Sequence, residues 1–270
     1  MTVDDMRSWY RQWYAPNNAI LVVVGDVKAA EVIGFAEKYF GSLEPSVIPA
    51  PKPRMEAEQL GTRNVKIELP AKLPFLIMGY KVPSLNTVED ESDAYALEVL
   101  AGVLDGGSSA RLTRDLIRGS EIATSAGAGY GFSNKHEALF TLSAVPAEGI
   151  GIARLQQALL AQVQRLKEEL ATEEEINRVI AQVLAGKVYE QDSIFYQGMQ
   201  LGILETVRLG WKKKDEYIDG IRRVSPEQVR DVARKYLVPT SLTIAELIPR
   251  SADDRKLAQQ AKAGDASRAH

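Results

Sequence analysis

Apolar residues recur along this chain with two spacings, and the switches between them predict its elements. Met6, Trp9, Tyr10 and Trp13 stand at i, i+3, i+4 and i+7, which predicts an amphipathic helix that buries one stripe. Thr2 and Asp5 supply its cap, and Pro16 its stop. An extended apolar run at 19–24 predicts a strand, and Val32, Phe35, Ala36 and Tyr39 predict a second helix, with Gly41 placed to close it as its C′ residue. Pro45, Pro49, Pro51 and Pro53 make 45–62 an extended linker of some stiffness. Beyond it, Val65, Ile67 and Leu69 alternate with charged neighbours, as in a half-exposed strand, and the nearly continuous apolar run at 74–80 predicts a buried one.

A helix carrying Leu97, Leu100, Ala101 and Leu104 then stops at Asp105-Gly106-Gly107. Ser108 and Ser109 can cap the next helix, which carries Arg111, Leu112, Leu116 and Ile117 and breaks at Gly119. Strands follow at 122–131 and 138–145, with Gly127, Gly129 and Gly131 weakening the first. A long helix is expected at 152–166, a second opens at the Thr172/Glu175 capping box, and a third runs from Asp192 or Ser193 to near Gly210. A short helix at 215–221, a helix from Ser225, a strand from Leu242 and a polar, disordered tail at 250–270 complete the chain. The fold class this order predicts is α+β: a mostly antiparallel sheet with helices packed on one side.

The opening stretch is echoed near the far end. Residues 2–16 align without gaps on 225–239 at a constant offset of 223, placing Arg7 on Arg230, Arg11 on Arg234 and Pro16 on Pro239. Each copy is a capped helix, a proline stop and an apolar run. A duplicated architecture follows, in which 1–44 are the last elements of a first domain, 45–62 a linker, 63–249 a complete second domain and 250–270 a tail. Most of the first copy is then expected on the N-terminal side of Met1.

Composition narrows the chemistry. With no cysteine, disulfides, thiolate metal sites and cysteine nucleophiles are excluded. A net charge of −3 gives no electrostatic footprint for nucleic acid, and the basic run Lys212-Lys213-Lys214 is expected to be a solvated helix start. No apolar run is long enough to span a membrane as a helix. Only His136 and His270 are histidines, and no second histidine follows His136 at i+4, so no His-x-x-Glu-His helix can form. His136 is expected in a turn between strands. The glycines before Ser108 could hold an anion at a helix start or simply turn the chain between helices. Glu173, Glu174 and Glu175 complement a helix dipole.

The segment from Met1 through Ala15-Pro16-Asn17-Asn18 to Gly25-Asp26 resembles the end of the first half of pitrilysin-type (insulinase family) zinc peptidases. Residues 97–112, with Val103-Leu-Asp-Gly-Gly-Ser-Ser-Ala-Arg-Leu112, resemble the family's second-half signature. The resemblance covers residues 1 to about 249. It implies a processing-peptidase-like metallopeptidase half, one of two homologous αβ halves that enclose a chamber. In such enzymes zinc is held by a His-x-x-Glu-His motif and a further glutamate in the first half, so zinc is expected there and no cofactor in this chain.

The resemblance also places an arginine and a tyrosine, seven residues apart, as substrate-gripping groups in active bacterial relatives. Here those positions carry Ile117 and Thr124, with Arg118 and Tyr130 nearby but off register. No catalytic or metal-binding residue is therefore carried over. The expected role is the non-metal-binding C-terminal half of a zinc endopeptidase, inactive alone, whose inner sheet face and turn at Gly106, Gly107, Ser108, Ser109 and Arg111 form part of a peptide-binding chamber. Expected partners are the N-terminal catalytic half of the same polypeptide or a homologous subunit, a peptide substrate, and a second copy in a homodimer. The resemblance to bacterial enzymes implies cytoplasm or periplasm. The alternatives are a non-catalytic structural subunit of the same family, and an unrelated α+β binding domain if residues 1–26 pack inside the second domain.

Overall fold

The computed structural model describes residues 1–50 and 58–250. The expected disordered tail lies outside the described residues apart from Arg250, as does the middle of the proline-rich stretch. The chain divides into two compact units, one of residues 1–58 and 185–216, the other of 59–184 and 217–270.

The larger unit is built on five strands: β1 (Arg63–Pro70), β2 (Phe75–Val82), β3 (Ala123–Tyr130), β4 (Ala138–Pro146) and β5 (Leu242–Arg250). Their order is β1-β5-β2-β4-β3, and every pairing is antiparallel except β1 with β5. The alternation read from sequence decides which face is buried. Leu76, Met78, Tyr80 and Val82 of β2, Phe140, Leu142 and Ala144 of β4, and Leu242 and Ile244 of β5 form the core. The helices α3 (Glu91–Asp105), α4 (Ile152–Glu168) and α8 (Pro226–Tyr236) pack there.

Three expectations in this unit are corrected. The run at 74–80 is buried on one face only, since Phe75 and Ile77 of β2 lie on the opposite, open face. β1 is exposed on both faces because it is an edge strand. Its Lys66 pairs with Glu246 and its Glu68 with Arg250, charges that blunt a free edge. The helix expected after Ser109 is a wider, π-helical turn over Thr113–Gly119 without a side-chain cap, because Ser109 Oγ instead accepts from Arg178 Nη1 at 3.3 Å.

The smaller unit holds α1 (Val3–Trp13), α2 (Ala29–Phe40) and α6 (Ile194–Thr206), together with the end of α5 (Glu173–Gln191) and the start of α7 (Lys213–Arg222). The strand expected at 19–24 does not form: among the described residues of this unit no strand lies beside it to complete a ladder. Instead α6 lies against it: a Cβ built on Gly198 would stand 3.3 Å from Val24 Cγ2, and one on Gly202 3.7 Å from Val22 Cγ2. Gly41 keeps right-handed geometry (φ −62°), so it does not close α2 in the left-handed way expected. The chain leaves through Leu43 N–H donating to Phe40 O.

The internal repeat is visible in three dimensions. α1 and α8 each span 11 residues at the same offset. Both carry complete capping boxes, Thr2 with Asp5 and Ser225 with Gln228, and both are followed by a 3₁₀ turn, Pro16–Asn18 and Pro239–Ser241. Their surroundings differ. Val229, Val232, Ala233 and Leu237 are at most 2% exposed, whereas Met6, Trp9, Tyr10 and Tyr14 at the equivalent positions are 55–67% exposed. α8 packs on β2, α3 and α4. Among the described residues of the smaller unit there is no strand for α1 to pack on.

Candidate functional site

The turn singled out from sequence joins α3 to the π-helical turn. Gly106 caps α3 at φ −109°, and Gly107 takes φ +87°, where a side chain would be strained. The start of α5 holds this turn in place. Gln182 Nε2 donates to Gly106 O at 2.7 Å, and Arg178 Nη2 donates to Gly102 O and Val103 O at 3.2 and 3.3 Å, satisfying the last carbonyls of α3. The two helices approach closely because position 102 has no side chain; a Cβ there would lie 2.7 Å from Val179 Cγ1.

Arg111 is placed by this packing. It is 3% exposed, and its Nε and Nη2 each donate to Glu175 at 2.7 Å in a two-pronged pair. Glu175 is also the N3 residue of the α5 capping box, accepting from Thr172 N–H at 3.0 Å. Burial pushes its carboxyl upward, but the hydrogen bonds from Arg111 and Thr172 and the charges of Arg111 and Arg114 outweigh it and hold Glu175 below the usual carboxylate range. Asp115 follows the same pattern: burial opposes ionisation, and Arg114, Gln162 and Arg165 overcome it. Arg111 Nη1 and Arg178 Nε stay buried without a hydrogen-bond partner among the described residues.

Of the five sequence candidates, Gly106, Gly107, Ser108 and Ser109 therefore form one turn, while Arg111 points into a buried ion pair. Glu175 was expected to complete a capping box with Thr172 and to complement a helix dipole; its pairing with Arg111, 64 positions away, carried no signal in the sequence.

The edge strand β3 runs beside this turn. Asp105 Oδ2 accepts from Ala128 N–H at 3.1 Å and covers the outer side of β3 at that point. The open face beside it is small and hydroxylic: Gly127 pairs with Ser143 and Gly129 with Thr141. Tyr130 donates its phenolic O–H to Pro83 O at 2.7 Å, and burial together with nearby carboxylates pushes its pKa up. Arg118 is exposed, and Thr124 Oγ1 donates to Val145 O at 3.4 Å. His136 lies in the exposed bend between β3 and β4. Among the described residues no three His, Asp or Glu side chains are grouped so as to hold a metal ion. No helix among them is long and apolar enough to cross a membrane.

A one-sided, mostly antiparallel sheet with a duplicated unit of capped helix and 3₁₀ turn defines the class: an αβ domain of the metallopeptidase-half type. The profile described as the peptidase M16 inactive domain matches residues 1–183, and the chain belongs to that family. Among curated proteins, the zinc protease PqqE of Helicobacter pylori is 28% identical over 182 residues, covering 66% of this chain and 40% of that protein. The chain thus spans well under half the length of this curated relative. Among solved structures, a protease from H. pylori superposes with a TM-score of 0.84 at 25% identity, over 92% of this chain and 60% of the other. A peptidase M16 inactive domain from Pseudomonas fluorescens gives 0.77 at 18% identity, over 93% and 59%. The periplasmic protease PqqL from Escherichia coli gives 0.75 at 13%, over 93% and 28%, a likeness of fold.

Proposed function

We propose that this chain is the non-metal-binding half of a zinc endopeptidase, and that it closes over a peptide held by a zinc-bearing half of homologous fold. The observation that carries this is the repeat: α1 reproduces α8 in length, cap and stop, yet exposes the residues that α8 buries. Residues 1–44 are then the end of a first domain whose sheet would cover those residues. The part of the chamber wall supplied here is the turn at Gly106–Ser109 with the adjoining small and hydroxylic surface of β3 and β4. Binding an extended peptide from both sides would orient its scissile bond for the metal-bound water of the other half. Arg111 serves by fixing the turn rather than by touching peptide.

The test is complementation. This chain and the zinc-bearing half, prepared separately, are each assayed on an unstructured peptide and then mixed. Cleavage only in the mixture is the expected result; cleavage by this chain alone would overturn the proposal. A second reading, a structural subunit of the same family, is favoured by the commitment of the Tyr130 hydroxyl to Pro83 and by Ile117 and Thr124 at the gripping positions. Full activity of the zinc-bearing half without this chain would select it.

A further inference from the structure

The five-stranded sheet ends in two edge strands that are finished differently. On β3, the Asp105 carboxylate takes the outward N–H of Ala128. On β1 all eight residues are exposed, and among the described residues β5 is its one sheet neighbour. Leu242 O at the start of β5 accepts from Gln59 Nε2, just ahead of β1, so the even positions of β5 face β1. By the alternation of a parallel ladder, Val65, Ile67 and Leu69 then turn their backbone groups to β5, and Asn64, Lys66 and Glu68 turn theirs outward.

This outward edge complements itself in one register. Val65, Ile67 and Leu69 share one face of the strand and are 41–52% exposed, while Lys66 and Glu68 share the other. Laid antiparallel on a second β1 with Ile67 opposite Ile67, the strand sets Lys66 against Glu68 twice and Val65 against Leu69 twice. The outward backbone groups of Lys66 and Glu68 then bond across the join. Moving the axis one residue either way sets Lys66 against Lys66 or Glu68 against Glu68, and like charges directly opposite destabilise a ladder. Stopping half-way sets charged residues against apolar ones. The pairs within the chain, Lys66 with Glu246 and Glu68 with Arg250, extend the favoured register into a row of alternating sign. The charges that blunt this edge against other strands therefore admit one partner.

We infer that β1 is the edge through which two molecules of this chain pair, antiparallel about a twofold axis at Ile67, joining their five-stranded sheets into one. The contact uses the same edge of both molecules, so it closes at a dimer. The far edges are the β3 strands, each crossed by Asp105.

The test is the mass of the chain in solution against concentration, by light scattering. The native chain is expected to double in mass as concentration rises. Lys66→Glu and Glu68→Lys should each stay monomeric over the same range, and an equimolar mixture of the two should recover the doubled mass, because every swapped charge then meets its opposite. Single thiols give a second readout without background, since the chain contains no cysteine. Residues facing each other on the axis have Cα atoms about 4.5 Å apart, within disulfide reach. Ile67→Cys should therefore link into a dimer under copper phenanthroline, and Val65→Cys, which faces Leu69, should not; this pair decides even where a charge variant folds poorly. A native chain that is monomeric throughout overturns the inference, as does a dimer that persists in both single charge variants, or equal linking at positions 65 and 67. A monomer whose Ile67→Cys thiol links instead to a cysteine-bearing unstructured peptide overturns it too and assigns the edge to peptide.

Discussion

Glu175 joins a helix cap to a buried guanidinium, and this double duty makes it the most consequential carboxylate in the larger unit. Removing one partner of such a pair strands the other in a dry environment, so Arg111→Ala or Glu175→Gln should each cost about 3–5 kcal/mol in denaturant unfolding. The folded pKa values of Glu175 and Asp115 are both depressed. Their contribution is therefore complete above the unfolded carboxylate value and lost as pH falls through the lower folded value. The urea midpoint of the native chain should drop below about pH 4, and Glu175→Gln should flatten that drop. Gly102 offers a test of sign. In an exposed helix Gly→Ala stabilises by up to about 1 kcal/mol. Here the added methyl meets Val179, so Gly102→Ala should lower the thermal midpoint, with a cost of about 1–3 kcal/mol.

Most helix starts were legible in the sequence from a short-range cap, Ser109 being the exception because its hydroxyl is taken by Arg178. Thr2, Thr172 and Ser225 all open helices through the bonds expected of them. Features that depend on a distant neighbour were not legible. The run at 19–24 has the composition of β5 but not its two flanking strands, so the same pattern yields a strand at one end of the chain and none at the other. The run at 74–80 looked buried on both faces because apolar residues also fill the open side. Of the candidate site, the glycine turn was readable, whereas the burial of Arg111 depended on α5 returning beside α3. The two copies also make opposite predictions for one substitution. Ser225→Ala removes the cap of a packed helix and should cost about 1 kcal/mol of global stability, measured by urea. Thr2→Ala removes the same cap from a helix packed on little and should leave the main transition unmoved.

At the scale of the molecule, exposed apolar residues lie on the end of α5 and on α6, at Val188, Tyr189, Ile194 and Phe195. Two other regions follow the repeat: the first copy's helices, at Met6, Trp9, Tyr10, Phe35 and Tyr39, and the open face of the second copy's sheet. Surface of this kind marks interaction sites when it is contiguous. In the proposed enzyme, both regions are where one homologous half meets the other. Catalytic chemistry then resides in the half that carries the metal ligands, and this chain contributes shape, closure and peptide contact. The most direct test is the zinc content of the purified chain after equilibration with the metal and removal of loosely bound ions. The expected result is no stoichiometric zinc in this chain and one zinc per assembly once the other half is added. One tightly held zinc per chain, in the absence of any partner, would contradict the account.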